Sequence, residues 1–187
     1  DIVKWPLHAE LAKVSYDVIS DPHTAQNILN TLVLHYSETD EPIALDVETT
    51  YAKDDEEVDT FDTQVLCVGV GTSDHAWVFD PKALYHEDGT PALVWPNLWW
   101  TMHNAIFDVQ VVRKFLGQWI EVKEDTMLQS YSLDERAGVH KLKTLSREYL
   151  ACGFYEETRF KGKMKLDEIP PELLYAYNAK DVCYTAR

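Results

Sequence analysis

The sequence predicts one α/β domain, residues 1–187, in which a central mixed β-sheet is flanked by helices. Candidate strands come early in the chain and candidate helices late, without strict alternation, and this order is typical of a mixed sheet with helices packed on it. Of the 187 residues, 45% are hydrophobic, which is enough for a substantial core. No internal repeat or low-complexity linker divides the chain.

Six segments have the composition of strands. Residues 43–47, Ile-Ala-Leu-Asp-Val, form a short apolar run that is typical of a buried strand. Residues 65–70 and 75–79 are rich in β-branched and aromatic side chains, and the residues between them, Gly71-Thr72-Ser73-Asp74, indicate a hairpin turn. The full set of predicted strands is 13–20, 43–47, 65–70, 75–79, 98–102 and 119–122.

Five segments have the periodicity or the end signals of helices. Asp21-Pro22 begins the first, Asp125 can cap the third, and Pro170-Pro171 begins the last. The predicted helices are 25–36, 104–115, 125–133, 141–150 and 171–187. The remaining segments are predicted to be connections: a long turn-rich loop at 80–96, an acidic loop at 54–59 and a basic irregular stretch within 154–170. The acidic loop could alternatively hold a metal, and the basic residues 159–165 could guide a nucleic-acid strand.

Composition and charge exclude several classes of protein. No apolar run approaches the ~20 residues of a membrane span, and the N-terminus lacks a signal-peptide pattern. We therefore expect a soluble protein that is not secreted and has no membrane partner. The three cysteines form no Cys-x-x-Cys pair, which indicates core thiols rather than a zinc site. The net charge of −15 is unusual for a nucleic-acid partner, but a protein that grips a few nucleotides can rely on bound metals.

Four carboxylates and a tyrosine occur in three widely separated segments. They are Asp46 and Glu48 in the second strand, Asp108 in the second helix, and Tyr177 and Asp181 in the last helix. Asp46 and Glu48 share one strand face, and Tyr177 and Asp181 stack one helical turn apart. Because like charges repel, a fold that gathers four carboxylates usually does so around divalent cations. The set indicates metal-dependent phosphodiester hydrolysis.

These segments resemble the three motifs of the DEDD exonucleases that carry a tyrosine in their third motif. The match is to the 3′–5′ proofreading exonuclease domain of family A DNA polymerases, phage-type ones above all. Residues 43–49, 103–108 and 177–181 correspond to the three motifs, and the resemblance covers nearly the whole chain. It implies an RNase H-like fold and a fragment of a longer polymerase, with the polymerase domain following it. The expected location is the cytoplasm of a bacterium or of a phage-infected host.

The resemblance also implies the catalytic residues. Two divalent ions, Mg²⁺ or Mn²⁺, would be held by Asp46, Glu48, Asp108 and Asp181, with Asp46 touching both ions. Two-metal hydrolysis uses one ion to activate water and the other to stabilise the leaving oxygen. Tyr177 would orient the attacking water together with Glu48.

The expected substrate is the 3′ end of single-stranded DNA or a frayed primer terminus. The Thr49 backbone would meet the terminal 3′-hydroxyl, and Asn104 would contact the last nucleotides. His103 is adjacent, but could equally be a packed histidine at a strand end. The family often has a leucine wedge where this chain has Ala52. Either Tyr51 replaces it as a stacking platform, or the chain clamps the terminal base more weakly.

Three alternatives remain open from the sequence. One is an RNA-directed exonuclease of the same superfamily, because discrimination of the 2′-hydroxyl depends on contacts that these motifs do not reveal. Another is a catalytically silent domain kept as a structural or DNA-binding module, whose signature would be a missing ligand. The third is an exonuclease linked to a helicase, which shares the same motifs.

Overall fold

The computed structural model describes residues 13–50, 63–152 and 168–187, and its central element is a six-stranded mixed sheet. The strands are β1 (Ser15–Ile19), β2 (Ala44–Thr49), β3 (Val65–Gly71), β4 (His75–Phe79), β5 (Trp99–Met102) and β6 (Glu121–Asp125). They lie in the order β1-β4-β3-β2-β5-β6. The three central strands β4, β3 and β2 are antiparallel neighbours. The outer pairs β1–β4, β2–β5 and β5–β6 are parallel, so the predicted mixed sheet is confirmed.

The helices of the described ranges are α1 (Pro22–Thr39), α2 (Pro81–Leu84), α3 (Ala105–Phe115), α4 (Thr126–Leu133), α5 (Leu142–Tyr149) and α6 (Pro171–Ala186). Their starts follow the sequence signals. The Asp21 carboxylate accepts a hydrogen bond from the Thr24 backbone at the start of α1, and Pro22 occupies its first turn. Pro171 likewise lies in the first turn of α6. Proline is tolerated there because backbone N–H groups of a first turn have no acceptor within the helix, so the missing N–H of proline costs no hydrogen bond.

The two faces of the sheet bury different helices, and β2 shows this clearly. Leu45 and Val47 belong to the larger core, which includes buried residues of α1 and α3. Ala44 faces the other way, into a second core that contains Ala179 and Val182 of α6. Helix α6 lies across β2, β3 and β4. Since side chains alternate along a strand, Asp46 and Glu48 point to the same side as Ala44 and hence toward α6.

Two predictions were wrong in detail, one about a loop and one about the bounds of a strand. The predicted loop 80–96 contains helix α2, because the Asp80 carboxylate accepts hydrogen bonds from the Lys82 and Ala83 backbones and so starts a helical turn. An isolated antiparallel β-bridge between Tyr85 and Pro91 also lies within this predicted loop. The last strand is Glu121–Asp125 rather than 119–122, because its register follows β5 up to Met102. The predicted acidic and basic stretches, 54–59 and 159–165, lie outside the described residues.

Two other expectations concern membranes and thiols. Among the described residues, no helix combines the length and the apolar character that crossing a membrane requires. All three cysteines, Cys67, Cys152 and Cys183, are buried free thiols.

Candidate active site

Three of the four predicted carboxylates meet where α6 crosses the end of β2. Ligand oxygens of Asp46, Glu48 and Asp181 all lie within 4.8 Å of one another. Strand alternation puts the first two on one face, and α6 brings Asp181 against that face one turn after Tyr177. Glu48 and Asp181 are each 8% exposed and Asp46 is half-buried, so the acidic cluster is largely shielded from solvent.

Asp108 is held beside this cluster by the backbone of β2. Strand β5 pairs with β2 only at Ala44 and Thr101, so Val47 lies beyond the end of that pairing. The Asp108 carboxylate accepts the hydrogen bond of the Val47 N–H, with 3.0 Å between Oδ1 and N. Asp108 is 5% exposed and is therefore no surface acid. It lies outside the three-residue cluster, and its second oxygen can serve a ligand beside it.

The carboxylates raise one another's pKa values. Burial, followed by repulsion from Glu48, Asp108 and Asp181, holds the pKa of Asp46 well above its usual range. Burial and the same kind of repulsion raise the pKa of Glu48 strongly. Burial also raises the pKa of Asp108 to about 8, although the hydrogen bond from Val47 opposes this shift. Nearby positive charge would relieve all three shifts.

Lys143 of α5 is a functional candidate that sequence analysis missed. Its ammonium donates a hydrogen bond to the Tyr177 hydroxyl and lies 4.6 Å from the centroid of the Tyr177 ring. Its charge also lowers the pKa of Glu48, against the effect of burial. Lys143 is therefore a cation that faces both the predicted water-orienting tyrosine and a predicted metal ligand. Its position in an ordinary amphipathic helix gave no signal in the sequence.

Asn178 is a second residue that the sequence analysis missed. It is fully buried and its Nδ2 donates to Asp46 Oδ2 at 2.8 Å and to the Asp46 carbonyl at 3.3 Å. The available signal was its place directly after Tyr177 in the third motif. On a helix this offset turns the side chain away from Tyr177 and, here, toward the sheet.

Three of the four predicted substrate residues, Thr49, His103 and Asn104, lie around the ends of the parallel strands β2 and β5. Thr49 ends β2 and is buried, with a register shift between Glu48 and Thr49. Asn104 precedes α3 in a left-handed conformation (φ 64°) and is exposed, and its side chain makes no capping hydrogen bond. Tyr51 lies outside the described residues.

His103 is engaged by its neighbours. Its Nδ1 lies 2.8 Å from the Thr126 hydroxyl. Burial lowers the pKa of His103, partly offset by Asp125 and by a hydrogen bond with the His140 backbone. These contacts favour the packed histidine at a strand end that the sequence left open.

Asp125 explains why Asn104 does not have to cap α3. Its carboxylate accepts hydrogen bonds from the backbones of Asn104 and Ala105 at the start of α3, at 3.1 and 2.8 Å. It also accepts from the Met127 and Leu128 backbones at the start of α4, at 2.9 and 3.3 Å. The predicted cap of α4 is thus confirmed, and it serves a second helix.

The donor set suits divalent cations. Carboxylate oxygens are the preferred ligands of hard cations such as Mg²⁺, and several buried carboxylates at this spacing are stable as anions only beside positive charge. The described residues of this cluster offer no cysteine or histidine ligand. A cation site of oxygen ligands therefore fits the residues that are present.

Comparison with known proteins agrees with this geometry. The model of a family described as 3′–5′ exonuclease, of the family A DNA polymerases, matches residues 16–187. The DNA polymerase of Escherichia phage T5 is 30% identical over 199 residues. That match covers 92% of this chain but 22% of the polymerase, so the chain spans about a fifth of the length of this relative.

Solved structures share the fold at low identity. Escherichia coli RNase D, an exoribonuclease, superposes with a TM-score of 0.63 at 17% identity, covering 91% of this chain and 42% of its own. The catalytic core of RRP6 from Trypanosoma brucei superposes with a TM-score of 0.56 at 14% identity, and the match covers 99% of this chain and 46% of the RRP6 chain. Brucella melitensis NrnC with bound Mg²⁺ superposes with a TM-score of 0.51 at 15% identity, and the match covers 92% of this chain and 75% of the NrnC chain. The chain therefore has the RNase H-like fold of the DEDD exonucleases and belongs to the 3′–5′ exonuclease family of the family A DNA polymerases.

Proposed function

We infer that the chain removes nucleotides from the 3′ end of DNA as 5′-mononucleotides and proofreads for a DNA polymerase. The observation that carries this proposal is the carboxylate cluster of Asp46, Glu48 and Asp181 beneath α6, with Asp108 beside it. The similarity to a phage polymerase supports a covalently linked polymerase domain that follows this one. It also supports a location in the cytoplasm of an infected host.

Membership of this family implies divalent metal ions, and we assign two of them to the site, Mg²⁺ or Mn²⁺. Asp46, Glu48 and Asp181 would hold one, and Asp46 with Asp108 the other. When bound, the ions stabilise charge on the phosphate and lower the pKa of water. The similar fold of NrnC with bound Mg²⁺ supports Mg²⁺ as the first ion to test.

The protein side chains then have to place the water and the phosphate. Tyr177 accepts a hydrogen bond from Lys143, and a hydroxyl that accepts from an ammonium still has its own proton to donate. Tyr177 and Glu48 together would orient the water toward phosphorus. The water would lose one proton to solvent as its oxygen bonds to phosphorus. The bond to the 3′-oxygen of the preceding nucleotide would break, and that oxygen would take up a proton from solvent. The product is a 5′-monophosphate and a strand shortened by one nucleotide.

Four residues are proposed for the substrate. The Thr49 backbone, at the end of β2, would meet the terminal 3′-hydroxyl. Asn104 is suited to contact the last nucleotides, because its side chain is exposed and does not cap α3. Tyr51 would stack on a terminal base. His103 has the weakest support, since its ring is already engaged by Thr126.

DNA is favoured over RNA as the substrate because the relative with the higher identity is a DNA polymerase. The exoribonuclease RNase D is similar at 17% identity, a level that carries the fold and not the substrate. Hydrolysis of matched DNA and RNA oligomers of the same sequence separates the two. Faster hydrolysis of RNA would reverse this assignment.

The decisive experiment follows 3′-labelled and 5′-labelled single-stranded DNA over time, with Mg²⁺, Mn²⁺ or EDTA. We expect the 5′-labelled strand to shorten stepwise and the 3′-labelled strand to release a labelled mononucleotide at once, in either metal but not in EDTA. Asp46→Ala should abolish turnover, because it removes a ligand proposed for both ions. Glu38→Ala, an exposed acid on α1, is the matched control and should behave as wild type.

Two outcomes would contradict the proposal. Shortening that persists in EDTA or in Asp46→Ala would remove the carboxylate cluster from the reaction. Failure to hydrolyse DNA or RNA in either metal would favour the alternative of a silent structural or DNA-binding module.

A further inference from the structure

Gly69 of β3 lies directly opposite Asp46 in the antiparallel pairing of β2 and β3. A Cβ atom at this glycine would lie 2.2 Å from Asn178 Oδ1 and 3.0 Å from Asn178 Cγ. It would also lie 2.6 Å from Cγ2 of Val182, so any larger residue would collide with α6. Because Gly69 has no side chain, it leaves a space on the sheet, and the Asn178 amide fits into that space.

The amide reaches Asp46 from this space. Asn178 is fully buried, and its Nδ2 donates to Asp46 Oδ2 at 2.8 Å and to the Asp46 carbonyl oxygen at 3.3 Å. Two bonds from one nitrogen tie the carboxylate to its own backbone and fix the side-chain rotation. Because a carboxylate has two oxygens, holding Oδ2 leaves Oδ1 for another ligand.

The amide oxygen of Asn178 indicates that this residue does more than fill space in the core. Within the described residues, Asn178 Oδ1 has no hydrogen-bond donor. A buried polar atom without a partner destabilises the fold, and an apolar side chain of similar volume would avoid this. The residue type is therefore best explained by what its N–H does for Asp46.

We propose that Asn178 is a positioning residue that fixes the Asp46 carboxylate for cation binding, and that Gly69 is its obligatory neighbour. The inference rests on the proposed role of Asp46 as a ligand. Groups that orient metal ligands typically change metal affinity by ten- to a hundredfold when removed. The residue pair acts across two elements: β3 provides the space and α6 provides the donor.

The test measures Mn²⁺ binding directly, by titration calorimetry of the chain without DNA, and the melting temperature of each variant. Asn178→Leu removes the donor and keeps most of the volume. We expect it to weaken Mn²⁺ binding by about tenfold or more, with a melting temperature at or above wild type in EDTA. Thr185→Val, at another buried polar position two turns later on α6, is the matched control and should bind Mn²⁺ as wild type does.

A steric route to the same loss gives an independent check. Gly69→Ala should weaken Mn²⁺ binding by pushing the amide away from Asp46. Its effect should be smaller in an Asn178→Ala background, because the amide is then already gone. Equal effects in both backgrounds would contradict the role of Gly69.

The outcome also separates this inference from the function on which it rests. Wild-type Mn²⁺ affinity in Asn178→Leu, together with loss of affinity in Asp46→Ala, would overturn the positioning role alone. If Asp46→Ala also bound Mn²⁺ with wild-type affinity, the proposed metal site itself would be wrong. If Gly69→Ala does not fold, Asn178→Leu still decides the question.

Discussion

At the scale of single residues, Lys143 supports the water-orienting role that the resemblance implies for Tyr177. A tyrosine one helical turn from a carboxylate is most often a packing residue. Its position in the sequence alone cannot distinguish packing from the orientation of a water molecule. Here the phenol hydroxyl accepts a hydrogen bond from the Lys143 ammonium, whose nitrogen lies 4.6 Å from the ring centroid. That cation also faces Glu48. Tyr177 is therefore oriented by a charged neighbour at the edge of the acidic cluster.

Lys143→Met should slow hydrolysis of single-stranded DNA by about ten- to a hundredfold in kcat, the range expected for loss of one hydrogen bond to a charged group. The methionine keeps the stem of the side chain and removes the charge, so the melting temperature should stay close to that of wild type. Lys141→Met, an exposed lysine at the start of the same helix, should leave kcat unchanged. Steady-state kinetics on one oligomer gives both values.

A second comparison tests whether Lys143 acts through the tyrosine. In a Tyr177→Phe background the hydroxyl is absent, so Lys143→Met should add little further loss. Full additivity of the two substitutions would show instead that Lys143 acts separately, on the phosphate or on Glu48.

At the scale of elements, one carboxylate caps two helices: α3, which carries Asp108 of the second motif, and α4. Asp125 ends β6 and accepts four backbone N–H groups, two from the start of α3 and two from the start of α4. Helix α3 in turn carries Asp108, whose carboxylate accepts from Val47 of β2. The position of Asp108 thus depends on a cap that lies outside all three motifs.

Asp125→Ala should lower the free energy of unfolding by about 2 kcal/mol, since each lost N-cap typically costs about 1 kcal/mol. It should also reduce hydrolysis, because α3 is no longer anchored beside β2. Asp21→Ala removes the cap of α1 alone and should cost less stability, with hydrolysis unchanged. Urea unfolding and the DNA assay measure both effects; a smaller loss of stability in Asp125→Ala than in Asp21→Ala would contradict the double cap.

The sequence predicted the elements more fully than it predicted the contacts between them. The strands and helices that carry Asp46, Asp108 and Asp181 were all identified, because apolar periodicity and end signals are local. Lys143 and Asn178 were missed because their roles arise from the crossing of α5, α6 and the sheet. Asp125 was recognised as a cap for α4, but the backbone groups that it caps at the start of α3 lie 20 and 21 residues earlier in the chain. Local patterns cannot show such pairings.

At the scale of the whole molecule, the dominant feature is negative charge. The formal net charge is −15 at pH 7, and several carboxylates are buried together in one site. The folded protein therefore resists their ionisation, since the pKa values of Asp46 and Glu48 are raised and that of Asp108 is about 8. Cations bound at the proposed site would compete with protons for these oxygens.

This competition predicts how stability depends on pH. In the folded protein without metal the pKa of Asp108 is about 8, against an ordinary value of 3.8. Between these values the folded state keeps a proton that the unfolded chain has lost. The free energy of unfolding therefore falls as pH rises, by up to about 1.4 kcal/mol per pH unit for this one group. Asp46 and Glu48 act in the same direction.

Melting temperatures measured between about pH 5 and about pH 9 should therefore fall steadily in EDTA. Excess Mg²⁺ should flatten the decline, because the ion binds the ionised carboxylates and stabilises the folded state by mass action. Asp108→Asn should reduce the slope in EDTA, since the amide does not titrate. Asp88→Asn, at an exposed acid in a turn, should leave the slope unchanged. Parallel curves in EDTA and Mg²⁺ would mean that the carboxylates at the end of β2 do not bind the ion.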